Sequence, residues 1–263
     1  MKRAIKETGD GARRADRDRK AFSLIELLVV IAIIGVLLAI ALPALSYARR
    51  QAAVAQSMSN VRGVAVIFDS YQSSEGVYPF LPAGGWLRVG PSGSGGLVSS
   101  TNPWSLRLMW PALMHDVAPW ESHYASWLNR RADRGERPWI DPEGRTLWPS
   151  YFYTRSFQAR PEAWQASASA PPWQGEEADL LKPVGLSDVR FPSSKAIVVD
   201  RRREYLPRDL DARRGKPRAV GSVDGAVSMR HNRDATAPVS NAVDGADPLV
   251  YDDTPGGVRG RDY

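Results

Sequence analysis

From Leu27 to Leu42 the chain runs sixteen residues without a polar side chain. Between Phe22 and Leu45 the apolar stretch reaches 24 residues, broken only by Ser23, Glu26 and Pro43. As a helix it is about 36 Å long, against a bilayer hydrocarbon core of about 30 Å, so residues 22–45 can span a membrane. The whole chain nevertheless averages a mean hydropathy of −0.35. The remainder must therefore be polar, and the pattern reads as one anchor and one body.

Charge orients the anchor. Of a net +6 over 263 residues, residues 1–21 carry +4, from eight Lys/Arg against four Asp/Glu. After the span only Arg49, Arg50 and Arg62 lie within a comparable distance. The positive-inside rule puts the N-terminus in the cytoplasm and the body outside. Ser46-Tyr47-Ala48 offers a small-x-small signal-cleavage site. A secretory h-region, however, is about 7–15 residues, shorter than this run. Glu26 also places a carboxylate inside the apolar stretch, where insertion costs up to about 2.5–3.5 kcal/mol at mid-helix. A plain signal or anchor has no use for it, so Glu26 reads as functional.

Lys20-Ala21-Phe22-Ser23-Leu24-Ile25-Glu26, followed by Leu27 to Gly35, resembles the N-terminal motif of type IV pilins and type II secretion pseudopilins. The resemblance covers roughly residues 20–80. It implies cleavage by a prepilin peptidase between Ala21 and Phe22, and N-methylation of the new terminal Phe22. Glu26 then stands fifth, where the family has its assembly glutamate, and Pro43 twenty-second, where many members have a helix-kinking proline. The family usually has glycine before the cut, and here Ala21 takes that place. The implied partners are the peptidase, other pilin or pseudopilin subunits, an inner-membrane assembly platform and membrane lipid. Glu26 of one subunit would pair with the Phe22 amine of its neighbour, two charges each costly in lipid. A glutamate that merely snorkels to the interface is the plainer alternative. Pro43 lacks an amide hydrogen and clashes with the preceding turn, and it can also be read as an ordinary helix end.

Beyond Pro43, Val54, Met58, Val61, Val64 or Ala65, Phe68 and Tyr71 recur every three or four residues, which is one helix face. Gly76 supplies a stop and Pro79 forbids continuation. A helix from about Phe22 to Ser74 is about 80 Å long, and its amphipathic part, residues 46–76, should pack on the head.

Residues 77–263 read as a globular head with a flexible C-terminal tail. All nine Trp lie between Trp86 and Trp173, as a packed core or a stacking surface. Glycine-rich stretches at 82–85 and 90–96 read as turns or flexible segments. Ser105–His115 and His123–Arg134 fit short helices, Leu147–Phe157 a strand, and Lys195–Asp200 the best strand. Ala219–Val223 and Ala226–Met229 flank Asp224-Gly225, a hairpin signal. The expected class is α+β and pilin-like: a long N-terminal helix packed on a loop-rich head with a small antiparallel sheet. The hairpin also loosely resembles the C-terminal strand–Asp-Gly–strand of some large pilin-like proteins. Many of those carry a histidine about ten residues upstream, where Arg214 stands here.

Chemistry in the head is excluded more than indicated. With no cysteine there is no disulfide, thiolate metal site or cysteine nucleophile. GxSxG, HExxH and phosphate-loop spacings are missing. His115 and His123 are eight apart, so a single helix could align them, but no third ligand is apparent, and His231 reads as a solvated loop residue. Asn241, Asp244, Asp247, Asp252 and Asp253 match no standard calcium loop. No metal, cofactor or enzymatic activity is expected.

Residues 201–218 hold eight Lys/Arg and three Asp/Glu, which phosphate could attract. A solvated loop explains them with less, so nucleic acid is not the favoured partner. The principal expectation is a structural subunit of a pilus or type II secretion pseudopilus. The missing cysteines remove the C-terminal disulfide loop common in type IV pilins, which tilts the reading toward type II secretion. The alternatives are an anchored adhesin or DNA-uptake head, and an anchored envelope enzyme.

Overall fold

The computed structural model describes residues 23–80, 82, 86–88, 97–99, 106–114, 117–118, 128–129, 139–140, 146–164, 180–201, 203, 215–242 and 248–263. The chain divides into two compact units, Met1–Ala48 and Arg49–Tyr263.

The first unit is the opening half of helix α1 (Leu24–Glu75). Its apolar side chains are bare: Leu24 is 81% exposed and Ile40 70%. Its most apolar stretch has a mean hydropathy of 3.1 and no buried residue, so this helix is long and apolar enough to cross a membrane.

The second unit is the head, with the rest of α1 built into it. Ser57, Val61, Val64, Ala65 and Phe68 are buried, and Met58 and Tyr71 are partly so. This is the expected three-and-four stripe, with the small polar Ser57 added. The helix ends where glycine allows it. Gly76 adopts φ 75° and its N–H closes on the Gln72 carbonyl at 2.8 Å, the left-handed cap that only glycine adopts without penalty.

The head's main sheet is antiparallel in the order β6-β7-β8-β9: Tyr151–Tyr153, Ala196–Asp200, Arg218–Ser222 and Val227–Arg230. Asp224-Gly225 turns the last pair. Ser222 N–H bonds the Ala226 carbonyl at 2.9 Å, and Gly225 takes φ 81°. The connection is thus a three-residue loop with a left-handed glycine, not the two-residue turn that the Asp-Gly spacing implies. The Asp224 carboxylate braces it, accepting from Ser222 Oγ at 2.7 Å and Ala226 N–H at 3.0 Å.

Two smaller sheets precede the main one in sequence. β1 (Trp86–Arg88) pairs β2 (Leu97–Ser99), so strands bracket the glycine-rich 90–96 segment. β3 (Leu128–Asn129) and β4 (Trp139–Ile140) flank β5 (Thr146–Pro149). Helix α2 (Leu106–Leu113) forms within the expected span. The other expected helix, His123–Arg134, does not hold where it is described. Leu128 and Asn129 pair instead with Pro149 and Trp148, because backbone pairing with a neighbouring strand overrides a weak local preference.

The core lies between α1, α2 and the main sheet. Phe68 stacks on Tyr153 with ring centroids 4.6 Å apart and tilts against Trp110 at 5.4 Å. Trp110 and Trp164, at 0% and 1% exposure, are core residues, in line with the packing reading for these two.

Candidate functional site

The candidate site is the start of α1, where the sequence places the processing and assembly residues. Ala21 and Phe22 lie outside the described residues. Ser23 is the first that is described, and it caps the helix together with Glu26. Ser23 N–H donates to Glu26 Oε2 at 2.9 Å, and Glu26 N–H donates to Ser23 Oγ at 3.2 Å. Leu27 N–H reaches the Ser23 carbonyl at 3.2 Å. This is a reciprocal capping box, Ser-x-x-Glu, satisfying two helix-end donors that lipid would leave bare. Glu26 therefore has a local structural task that its cost in an apolar segment does not reveal. Ser-x-x-Glu before an apolar run was itself the signal that could have found it. The second carboxylate oxygen, Oε1, takes no hydrogen bond among the described residues.

Pro43 stands inside α1, which continues through it, so it is not a helix end. Without an N–H it leaves the Ala39 carbonyl lacking its usual donor. Three residues on, Ser46 Oγ donates to the Pro43 carbonyl at 2.7 Å. Between Glu26 and Pro43 the surface is apolar all round: Leu27, Ile31, Leu38 and Leu42 are each more than half exposed. A helix apolar on every face requires lipid or other apolar helices around it.

Residues 16–42 match the family model of the prokaryotic N-terminal methylation motif. The chain carries the signature of type IV pilins and pseudopilins. The methylation motif takes in Ala21, Phe22 and Glu26 and stops one residue short of Pro43. No curated protein and no solved structure gives a significant match to the chain.

The head changes three readings of the sequence. First, the C-terminal segment is packed, not a flexible tail. Asp253, Val258 and Asp262 are at most 2% exposed. The Asp253 carboxylate accepts from Arg155 Nη1 (3.3 Å), Trp164 Nε1 (3.1 Å), Asn241 Nδ2 (3.2 Å) and Leu249 N–H (2.8 Å). Burial still pushes its pKa up, against the pull of Arg155 and these donors. Asp252 and Asp253 thus accept from the protein's own donors, Asn241 among them, while Asp244 and Asp247 lie outside the described residues. Among those described, no cluster of His, Asp and Glu could hold a metal.

Second, two arginines of the basic stretch turn inward. Arg203 N–H donates to Asp200 Oδ1 at 2.7 Å and its Nε to the Lys216 carbonyl at 2.7 Å. Burial, with Arg203 nearby, pushes the Arg218 pKa down to about 10. Third, His231 is tied rather than merely solvated, with Nδ1 2.9 Å from the Gly215 carbonyl. His115 and His123 lie outside the described residues.

Proposed function

We propose that this chain is a prepilin-like structural subunit without catalytic activity. Prepilin peptidase cuts between Ala21 and Phe22 and methylates the Phe22 amine. The first half of α1 anchors the precursor in the inner membrane, N-terminus in the cytoplasm and head outside. The same apolar surface then enters the filament of a type II secretion-like pseudopilus or a pilus. The observation that carries this reading is the methylation motif on a helix long and apolar enough to cross a membrane. Glu26 supports it with two oxygens for two tasks. Oε2 caps its own helix, and Oε1 is left to meet the amine of a neighbouring Phe22. An isolated carboxylate is costly in lipid, and pairing removes that cost. A DNA-binding head draws less support, since Arg203 and Arg218 spend their guanidinium groups inside the fold.

The chain has no cysteine, so one introduced cysteine reports subunit contacts without background. In membranes of a host with its own peptidase and assembly platform, Leu38→Cys should give copy-to-copy disulfides on oxidation. Adding Glu26→Leu should abolish them. Equal cross-linking with and without Glu26 removes the assembly role.

A further inference from the structure

One ion pair in the head is buried at both ends. Lys195 directly precedes β7, and Asp262 lies in the C-terminal segment. Nζ is 3.2 Å from Asp262 Oδ2, with side-chain exposures of 0% and 1%. It is also 3.4 Å from Oδ1, so the amine faces the carboxyl group between its oxygens. Among the described residues its one other partner is Thr254 Oγ1, at 2.9 Å. The Thr254 hydroxyl in turn bonds Asp262 Oδ1. The Ala196 N–H donates to Oδ2 at 2.7 Å.

The backbone holds this arrangement still. Asp262 N–H donates to the Ser194 carbonyl at 2.8 Å, and the Asp262 carbonyl accepts from Thr236 N–H at 2.8 Å. Ala196, Val199, Val220 and Tyr251 form a buried apolar cluster beside it. Burial is the largest influence on both groups. It lowers the pKa of Lys195 and raises that of Asp262, each opposed by the partner's charge. Both shifts run toward the uncharged forms, amine and carboxylic acid. Such a pair, held in contact, is the reactant pair of an amide.

We propose that Lys195 and Asp262 form a self-ligation site that condenses to an isopeptide crosslink between the start of β7 and the C-terminal segment. The Nζ lone pair attacks Asp262 Cγ. The Ala196 N–H holds the negative charge that develops on Oδ2. The Thr254 hydroxyl accepts a proton from Nζ and passes its own to the Oδ1 hydroxyl. The Cγ–Oδ1 bond breaks, Oδ1 leaves as water, and Oδ2 returns to a carbonyl. The sum is amine plus acid to amide plus water, with no oxidant or cofactor. The crosslink closes residues 195–262 into a covalent loop, so the C-terminal segment cannot peel from the sheet. Neither the chemistry nor its test depends on the filament role.

The test is peptide mapping of the full-length chain, purified from membranes in detergent, denatured and digested with trypsin. Acylated Lys195 is not cut, so ligation yields peptide 191–201 joined to the fragment that begins at Asp262, lighter by one water than the two together. The Lys195→Arg chain is the blank and should yield no such species. Recovery of peptide 191–195 and the free Asp262 fragment from the wild-type chain, with no linked product, overturns the proposal. Thr254→Val should slow ligation by about 100-fold, followed as the linked fraction in pulse-labelled protein. An unchanged rate removes Thr254 from the step.

Discussion

Gly221 lies where α1 approaches the main sheet closely, and adding one methyl there tests the packing of the head. A Cβ on Gly221 would lie 2.8 Å from Val198 Cγ1, 2.9 Å from Val61 Cγ1 and 3.7 Å from Ala65 Cβ. Carbon atoms rest at about 3.5–4.0 Å, so both valine methyls must retreat by about 0.6–1.2 Å. Val61 and Val198 are each 0% exposed, so the retreat would be into the buried core. Overpacking of this kind costs about 1–3 kcal/mol. Alanine recovers about 0.5–1 kcal/mol of the entropy that glycine loses on folding. Gly221→Ala should therefore destabilise the head by about 1 kcal/mol, a fall of about 2–4 °C in Tm at this size. The assay is thermal unfolding of the full chain in detergent, followed by near-ultraviolet circular dichroism of the buried tryptophans. Val61→Ala removes one of the clashing methyls, so the Gly221→Ala penalty should shrink by at least about 0.5 kcal/mol in that background. A raised midpoint for Gly221→Ala, or the same penalty beside Val61→Ala, refutes the close seat of the helix on β8.

Two other outcomes follow from the buried polar groups. Asp253→Ala strips four donors of their acceptor and leaves Arg155 buried without its carboxylate, so it should cost about 3–5 kcal/mol in urea unfolding; a loss below about 1 kcal/mol would place the segment at the surface. Burial pushes the Tyr251 hydroxyl up to about 12, and those of Tyr78 and Tyr153 also upward. The folded chain therefore keeps protons that the unfolded chain releases near pH 10, and the stability they contribute is full below about pH 10 and lost as pH rises through about 12. A Tm that stays flat across that range contradicts the burial of these phenols.

The features legible in the sequence are those that depend on near neighbours. The apolar run, the three-and-four stripe through Phe68 and the glycine stop at Gly76 each state their own conformation within a few residues, and Asp224-Gly225 states the place of the hairpin turn but not its length. The strand at Ala196–Asp200 is equally plain, because a β-branched apolar run suits a strand buried on both faces. The features that were not legible depend on partners far along the chain. Asp253 meets Arg155 and Asp262 meets Lys195 across 98 and 67 positions, so acidic residues among glycines read as a solvated tail. Leu128–Asn129 becomes a strand only because β5 lies beside it. At the candidate site, the residue types at Glu26 and Pro43 are plain in the sequence, and Ser23-x-x-Glu26 also signals the reciprocal cap, while which carboxylate oxygen caps the helix needs the geometry.

The central claim concerns processing, and the N-terminus of the mature chain tests it most directly. The protein should be isolated from membranes of a host with its own prepilin peptidase, and its terminal peptide sequenced by mass spectrometry. The account predicts a chain that begins at N-methylated Phe22, with residues 1–21 removed. A chain beginning at Arg49, as ordinary signal cleavage after Ala48 would leave it, contradicts the account, and so does one that retains its leader in that host.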